Sequence, residues 1–529
     1  MSKSFTREDV SRHNKDGDLW VIIDSKVYDL SKFASIHPGG LAALLDNEVA
    51  GQDGTDAFFA LHRFEVLARP QYSRLKIGVI RGEEPQITKP PTGSISEVPF
   101  AEPTWLSKGY YSPYYNESHR RVQQAMRKFN EEVVFPDAQA REEDGKRVSK
   151  HIFEARARLN LPAMALGPGP HLKGLTLLDG VVKPEEFDCF HELVMIQEGS
   201  RLHARGYTDG LAGGTFIGQE RIFDYLFHTL ILVSTALPPI MKYARPEIRD
   251  SIVKQVFAGE KFLSLAVTEA YAGSDVAGIR TRATKTEGGW IVNGSKVRLT
   301  QSFLVKWITN GTFADYFVTA CKNEEEGGII VFLIERGEGI QTRLIHTSYS
   351  TAAGTAFVTF DDVFVPDVHV LGPKTDGLKI ILSNFNHERW AMACGHIATQ
   401  RAIVEECFKW AAQRKVFGKP LISQAVIRSK LAAMIARVES EQNWLENVTY
   451  QMTRMNSTQQ ATLLAGQIAF LKMHASKAGQ DTARDAVQIF GGRGITRTGM
   501  GKHIEHFHRT LLIDAVGGGG KNQSSAADI

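Results

Sequence analysis

Cysteine is scarce. The chain has four in 529 residues, at positions 189, 321, 394 and 407, with no CxxC spacing. That excludes a disulfide framework and a cysteine zinc site, and it fits a reducing compartment. Excess charge of either sign is also lacking, since 62 Lys+Arg against 59 Asp+Glu leave a formal +3. So balanced a chain has no field to hold nucleic acid or an anionic membrane as its main partner. Long hydrophobic runs are missing too. The longest, residues 226–241, is broken by His228, Ser234, Pro238 and Pro239 and is too short for a membrane span. The opening MSKSFTREDV has no apolar core and carries acids early. It reads neither as a secretory signal nor as a transit peptide. The ending ADI is no peroxisomal address, so an intracellular protein is expected without choosing between cytoplasm, mitochondrion and peroxisome.

What is present is ordinary globular material: 43% hydrophobic and 23% charged, which excludes a largely disordered chain. The length allows more than one core. Residues 1–80 hold short strand-like runs such as WVIIDSKVYDL. Residues 81–113 carry six prolines and no amphipathic period, and read as a linker. Helical patterns dominate 114–262. Residues 263–375 turn β-like, with GGWIVNGSKV, FADYFVTACK, GGIIVFLIE and TAFVTFDDVFVPD. From 376 to 529 long helical patterns return.

In the first segment, FASIHPGGLAALLDNEVAGQDGTDAFFALH places His37 and His62 25 positions apart. Pro38, Gly39 and Gly40 end the preceding element and let the backbone pass close to a flat ligand. The run ALLDNEVA is helix-compatible. Two neutral imidazoles on opposed helical walls can ligate one haem iron axially, leaving no open site, so such an iron moves electrons. Taken singly, either histidine reads as a turn cap or a surface residue. Together with FTREDVSRHNKDGDLWVIIDSKVYDLSKFASIHPGG, the pair resembles cytochrome b5 over about residues 5–80. The resemblance implies a small α+β domain with haem b on His37 and His62.

Four motifs follow in the rest of the chain. LAVTEAYAGSDVAG offers the hydroxyls of Thr268 and Ser274 beside the permissive Gly273. KWITNGTFADYF sets Trp307, Thr309 and Asn310 on a strand and turn. QRKVFGKPLISQ puts Arg414 near Phe417 and Gly418, a cation for a pyrophosphate and a ring to pack, or simply a helix end. AVQIFGGRGI ends a helix on a double glycine. In this order the four resemble the acyl-CoA dehydrogenase family over about residues 114–520. That resemblance implies a helical domain, a β-barrel-like middle domain, a C-terminal four-helix bundle, FAD, and a homotetramer or homodimer. It implies that Val267, Thr268, Trp307 and Thr309 contact the flavin and that Ser274 borders the acyl-CoA. Arg414, Phe417, Gln424, Gln488, Gly491 and Gly492 would hold the adenine dinucleotide end, some across a subunit interface. A b5-like domain ahead of such an enzyme looks like an arrangement found in fungal proteins.

The implied chemistry is α,β-dehydrogenation of an acyl thioester. It needs a carboxylate in a dry pocket and a polarised thioester carbonyl. Most of the family carries the base in a YEG-like turn after a C-terminal Arg. Here that position is Gly518, which offers only a backbone N–H toward the thioester oxygen. Asp514, four positions earlier, is expected to point elsewhere. A minority branch, the isovaleryl and long-chain types, carries the base in an ERL-like motif. Here the matching residue is Glu388, in NHERWAMACG, followed by Arg389 near the CoA. Glu388 could otherwise be a first-turn acid favoured by the helix dipole. HIEHFHR (His503, Glu505, His506, His508) suggests a metal only weakly, since helical side chains there diverge. Residues 219–236 and 297–305 exceed the family pattern and read as translated introns. Electrons would leave through the haem or to an electron-transfer flavoprotein. The competing readings are a flavin oxidase on an acyl-like substrate and a haem electron carrier on an inactive flavoprotein scaffold.

Overall fold

The computed structural model describes residues 3–87, 90–212, 236–294, 306–382 and 385–517. Gly518, residues 297–305 and all of 219–236 except Ala236 lie outside them. The chain divides into two compact units. One holds residues 1–91, 407–428 and 486–505, and the other holds 92–406, 429–485 and 506–529.

In the first unit a five-stranded sheet runs in the order Ser4–Phe5, Lys76–Ile80, Lys26–Asp29, Asp18–Ile23, Asn14–Lys15. The period of two sends Leu19, Val21 and Ile23 to one face, against Tyr28, Leu30, Ala34, Val49 and Ala50. It sends Ile22 to the other, against Val10, Val27 and Ile80. Asp24 and Ser25 join the two central strands with φ of 51° and 60°. Two consecutive left-handed residues match the right-handed twist of a hairpin. The Asp24 carboxylate secures the turn by accepting from Lys26 Nζ at 2.7 Å and from the backbone N–H of Gln86 and Ile87.

The run ALLDNEVA does not form the expected helix. It makes two successive turns, with the N–H groups of Leu44 and Leu45 on the Leu41 carbonyl and those of Val49 and Ala50 on the Asp46 carbonyl. The cause is local. The Asp46 carboxylate accepts from Glu48 N–H at 2.8 Å and so competes with the helical ladder. The same unit includes the end of the helix Phe385–Gln413 and a small hairpin of Lys415–Val416 with Lys419–Pro420. There Gln413 Nε2 donates to the Phe59 carbonyl, and Lys415 lies 3.5 Å from Asp56.

The second unit begins with helices Glu117–Phe129 and Cys189–Ser200, capped by Asn116 and Asp188. The Asp188 carboxylate accepts from both His119 and His191, whose rings stack at 3.8 Å. Asn116 and Ser118 engage the remaining ring nitrogens, so this cluster is a double helix cap. A π-helical turn, Asn130–Val134, leads into the helix Phe135–Asp144.

The segment read as a linker is held by side chains along much of its length, Thr92 by Glu132 and Ser96 by Glu405 among them. Ala101, Glu102, Trp105 and Leu106 are buried. Arg127 explains why: it pairs with Glu102 and, at 2.7 Å, with Glu198, all three side chains being nearly inaccessible. That ion triad anchors the segment to the two helices.

The β region has two sheets. One runs Ile329–Glu335, Tyr316–Asn323, Arg282–Thr286, Gly289–Asn293, Val363–Pro366, with Leu263–Ala266 beside Tyr316–Asn323. The other runs Ile340–Leu344, Ala356–Phe360, Lys306–Ile308. They curl around Ala266, Trp290, Ile308, Phe317, Phe332 and Phe360. The long helices Phe385–Gln413, Ala425–Arg454 and Ala465–Phe490 follow, with Lys502–Thr510 after them. Buried polar contacts fix their register: Trp390 Nε1 on Thr449 Oγ1 at 2.9 Å, and Gln400 between Glu441 and Thr482. A small α+β domain is thus followed by helical, β and helical regions, as expected. Among the described residues no helix is long and apolar enough to cross a membrane.

Arg127→Met strands two buried carboxylates. Urea unfolding should show a loss of about 3 kcal/mol or more. An unchanged midpoint would contradict the anchoring role of the triad.

Candidate functional site

The central cavity of the second unit is built on the strand Leu263–Ala266 and its continuation. Trp307 N–H donates to the Thr268 carbonyl at 3.0 Å, tying Thr268 to the strand Lys306–Ile308. Lys306 locks this junction from below. Its ammonium donates to the Val267 carbonyl at 3.1 Å and to Glu269 Oε1 at 2.9 Å. Glu269 also accepts from Arg280 N–H, Thr281 N–H and Thr281 Oγ1. Both charges are buried, and the paired cation and hydrogen bonds hold the Glu269 carboxyl below its usual range. A buried charge so fully paired makes a rigid floor.

Above that floor lies a cavity of about 1400 Å³. Val267, Thr268, Ser274, Trp307, Thr309, Glu388 and Arg389 all line it. Residues from three separate sequence motifs are therefore brought to one space. Trp307 is half exposed, with an aromatic face near two threonine hydroxyls. This donor set suits a planar heteroaromatic ring such as the flavin of FAD.

Two carboxylates of the cavity wall are treated in opposite ways. Glu388 sits in the first turn of the helix Phe385–Gln413 and makes no hydrogen bond or ion pair among the described residues. Burial pushes its carboxyl up to about 7, against the milder pull of Arg389 and Lys472. Asp514, expected to point elsewhere, also lines the cavity. It is bound on both oxygens, by Arg205 at 2.7 and 3.0 Å and by His396 Nδ1 at 2.9 Å. Although burial opposes it, this pairing holds Asp514 well below the usual carboxylate range. Burial also raises Glu192 and Asp209 in the same cavity, but Glu192 pairs with His387 and Asp209 with Arg205, so Glu388 is the raised carboxyl of this wall without such a partner among the described residues.

The other expected residues lie in the first unit. Arg414 ends the helix Phe385–Gln413, and Phe417 and Gly418 form the hairpin turn with φ of 50° and 71°. Phe417 is 94% exposed, an unusual place for a large ring. Gln424 ends the 3₁₀ turn Leu421–Ser423. Gln488 sits on the last turn of the helix Ala465–Phe490, and Gly491, at φ 62°, and Gly492 follow it, beside the Trp410–Phe490 stack. The histidines of HIEHFHR do not converge: His506 Nε2 accepts from Arg205 N–H at 3.0 Å, while His508 is exposed.

The two remaining residues lie off the sheet of the first unit, His37 just after the 3₁₀ turn Ala34–Ile36 and His62 shortly after the helix Thr55–Phe59. His37 and His62 face each other with ring centroids 6.1 Å apart and planes at 74°. Two imidazoles bound end-on to one iron, at about 2 Å per bond, need a centroid separation of about 6 Å. His37 Nδ1 lies 3.2 Å from the Gly40 carbonyl, which fixes the N–H there and leaves Nε2 for a metal. Burial and the nearby His37 lower the His62 pKa, which disfavours the protonated ring. Gly39 is needed because a Cβ there would meet the His37 ring at 2.8 Å. Phe33, Leu41, Leu44, Leu45 and Phe58 supply apolar walls. The residues fit a haem.

Sequence reasoning missed the Lys306–Glu269 floor, the Arg205–Asp514–His396 network, and a buried pair of Glu192 with His387 at 2.8 Å. Lys306 directly precedes Trp307, the one local hint among them.

Comparison with known proteins agrees with this architecture. Residues 6–81 match the cytochrome b5-like heme/steroid binding domain, 264–363 the acyl-CoA dehydrogenase middle domain, and 375–526 its C-terminal domain. The chain is 34% identical to acyl-CoA dehydrogenase apdG of Emericella nidulans, over 81% of this chain and 93% of that one. It is 33% identical to acyl-CoA dehydrogenase AFT10-1 of Alternaria alternata, over 82% and 95%. The structure of butyryl-CoA dehydrogenase from Megasphaera elsdenii shares the fold, with a TM-score of 0.64 at 21% identity, over 79% of this chain and 98% of that one.

His37→Ala and His62→Ala should each strip the purified protein of its Soret absorbance relative to flavin absorbance. Full haem content in both variants would refute the ligand assignment.

Proposed function

This chain belongs to the acyl-CoA dehydrogenase family and carries a cytochrome b5-like domain ahead of it, and we propose that it dehydrogenates an acyl-CoA across Cα–Cβ with Glu388 as the base. The observation that carries this reading is the unpaired, buried Glu388 carboxyl in the cavity that Val267, Thr268, Trp307 and Thr309 also line. FAD, when bound, supplies the acceptor for the hydride leaving Cβ. The protein's own part is to take the α-proton, orient the thioester and exclude water.

Glu388 near pKa 7 is ionised in a useful fraction at neutral pH and is still basic enough to accept a proton. Asp514 cannot share that task, because its lone pairs are already engaged by Arg205 and His396. Arg389, the next residue along, adds a cation on the same wall, suited to the anionic end of CoA. Ser274 borders the acyl-CoA in this reading; the Gly518 position, the other residue expected at the substrate, lies outside the described residues. Arg414, Phe417, Gln424, Gln488, Gly491 and Gly492 take the adenine dinucleotide end, with a second copy of the chain in a dimer or tetramer completing the site. The exposed ring of Phe417 supports that role, since a cofactor would cover it.

Haem held by His37 and His62 supplies a one-electron carrier. Bound there, it would supply a relay toward an external one-electron acceptor, the alternative being an electron-transfer flavoprotein that serves the enzyme directly. Support comes from the first unit, where the helix Thr55–Phe59 that leads to His62 meets Gln413 and Lys415 on either side of Arg414.

Glu388→Gln should bind FAD normally yet lose at least about a thousandfold in anaerobic flavin reduction by acyl-CoA, the order expected for removing a general base. Retained turnover would sink the assignment. In the parent protein, haem reduction should follow flavin bleaching. In His62→Ala the flavin should still bleach, with no haem signal to follow. Haem that stays oxidised in the parent protein through complete flavin reduction would refute the relay.

A further inference from the structure

The segment that carries His62 is held at its two ends by different parts of the chain. At the start of the helix Thr55–Phe59, Gly54 N–H donates to the Ile22 carbonyl at 2.9 Å, and Thr55 Oγ1 accepts from Asp24 N–H at 2.8 Å. These contacts tie that end to the strand Asp18–Ile23 and its turn. The other end, which leads straight to His62, meets residues from far along the sequence. Gln413 Nε2 donates to the Phe59 carbonyl across 354 positions. Phe59 is the last helical residue, so its carbonyl has no partner within the helix. The carbonyl of Leu61, next to His62, rests on Gly499, where a Cβ would meet its oxygen at 2.7 Å. Gly499 also has φ 68°, a conformation that favours glycine.

Gln413 and Gly499 belong to one packed platform within the first unit. Three residues before Gln413, Trp410 stacks on Phe490 with ring centroids 5.2 Å apart and planes at 16°. The Arg493 guanidinium lies over the same Trp410 ring at 5.4 Å. Gly501 packs against the Arg493 carbonyl so closely that a Cβ there would collide with it. The ion pair of Lys415 with Asp56, by contrast, joins two exposed side chains and adds little.

The two histidines are therefore positioned differently. His37 is fixed within residues 1–80, through Nδ1 and the Gly40 carbonyl. His62 follows Leu61 directly, its N–H donating to the Phe58 carbonyl at 2.8 Å. A shift of the Phe59–Leu61 backbone moves the His62 ring with it. We propose that Gln413 and Gly499, both in the region that matches the dehydrogenase C-terminal domain, are positioning residues for the haem ligand His62. Haem retention is then a property of the fused chain and not of residues 1–80 alone. This inference rests on the haem assignment to His37 and His62.

The test is the rate of haem loss from the full-length ferric holoprotein to excess apomyoglobin, with urea unfolding followed in parallel. Gln413→Ala and Gly499→Ala should each lose haem about threefold faster or more, the worth of one modest hydrogen bond, at an unchanged unfolding midpoint. Gln413→Lys, which keeps a donor, should recover most of the parent's retention, and Lys415→Ala should match the parent. Gln413 is exposed, so Gln413→Ala carries the test if Gly499→Ala folds poorly. Parent-like loss from Gln413→Ala would overturn the proposal. Faster loss matched by a lowered midpoint would overturn it in favour of general loosening, and equal acceleration in Lys415→Ala would overturn the assignment to these two residues. A parent protein without Soret absorbance would instead remove the haem assignment, and this inference with it.

Discussion

Glu388 keeps its proton affinity because the cavity gives its carboxyl no hydrogen bond, and everything else in the site is arranged around that isolation. A carboxylate in an apolar wall rises in pKa when it has no partner and falls when it has one. The fold supplies strong partners to two nearby acids. Asp514 receives Arg205 and His396, and Glu269 receives Lys306 and three donors from the Arg280–Thr281 turn. Glu388 alone among these is left near 7. The strand that would carry the flavin rests on paired charges, Lys306 with Glu269.

The two units solve different electrostatic problems. In the cavity the fold isolates one negative charge. Around His37 and His62 it supplies apolar walls, and burial lowers the His62 pKa. The contact of Phe59 and Asp56 with Gln413 and Lys415 places the haem-type domain beside the segment expected to hold the far end of FAD.

Much of this was legible in the sequence. Glu388, Arg389, Ser274, Thr268 and Trp307 are read from local motifs, and local motifs survive folding because each sits on one turn or strand. The strands of the first domain follow from period-two patterning, as Leu19, Val21 and Ile23 show. The illegible parts are those set by distance along the chain. Arg205 and Asp514 are 309 residues apart, and Glu192 and His387 are 195 apart. No propensity or spacing pairs such residues; only tertiary packing does. Two local readings also gave way to local chemistry. The Asp46 side chain captured a backbone N–H and broke ALLDNEVA into turns, and Glu102 was drawn by Arg127 out of an otherwise linker-like stretch.

The most direct test of the central claim is the pH dependence of flavin reduction at limiting acyl-CoA, which reports the free enzyme's ionisations. A base that must be ionised makes the rate rise with pH and level off above its pKa. The account predicts that rise with a midpoint near 7, where burial holds Glu388. A midpoint near 4.5, the ordinary value for a glutamate, or a profile with no rise at all, would contradict it.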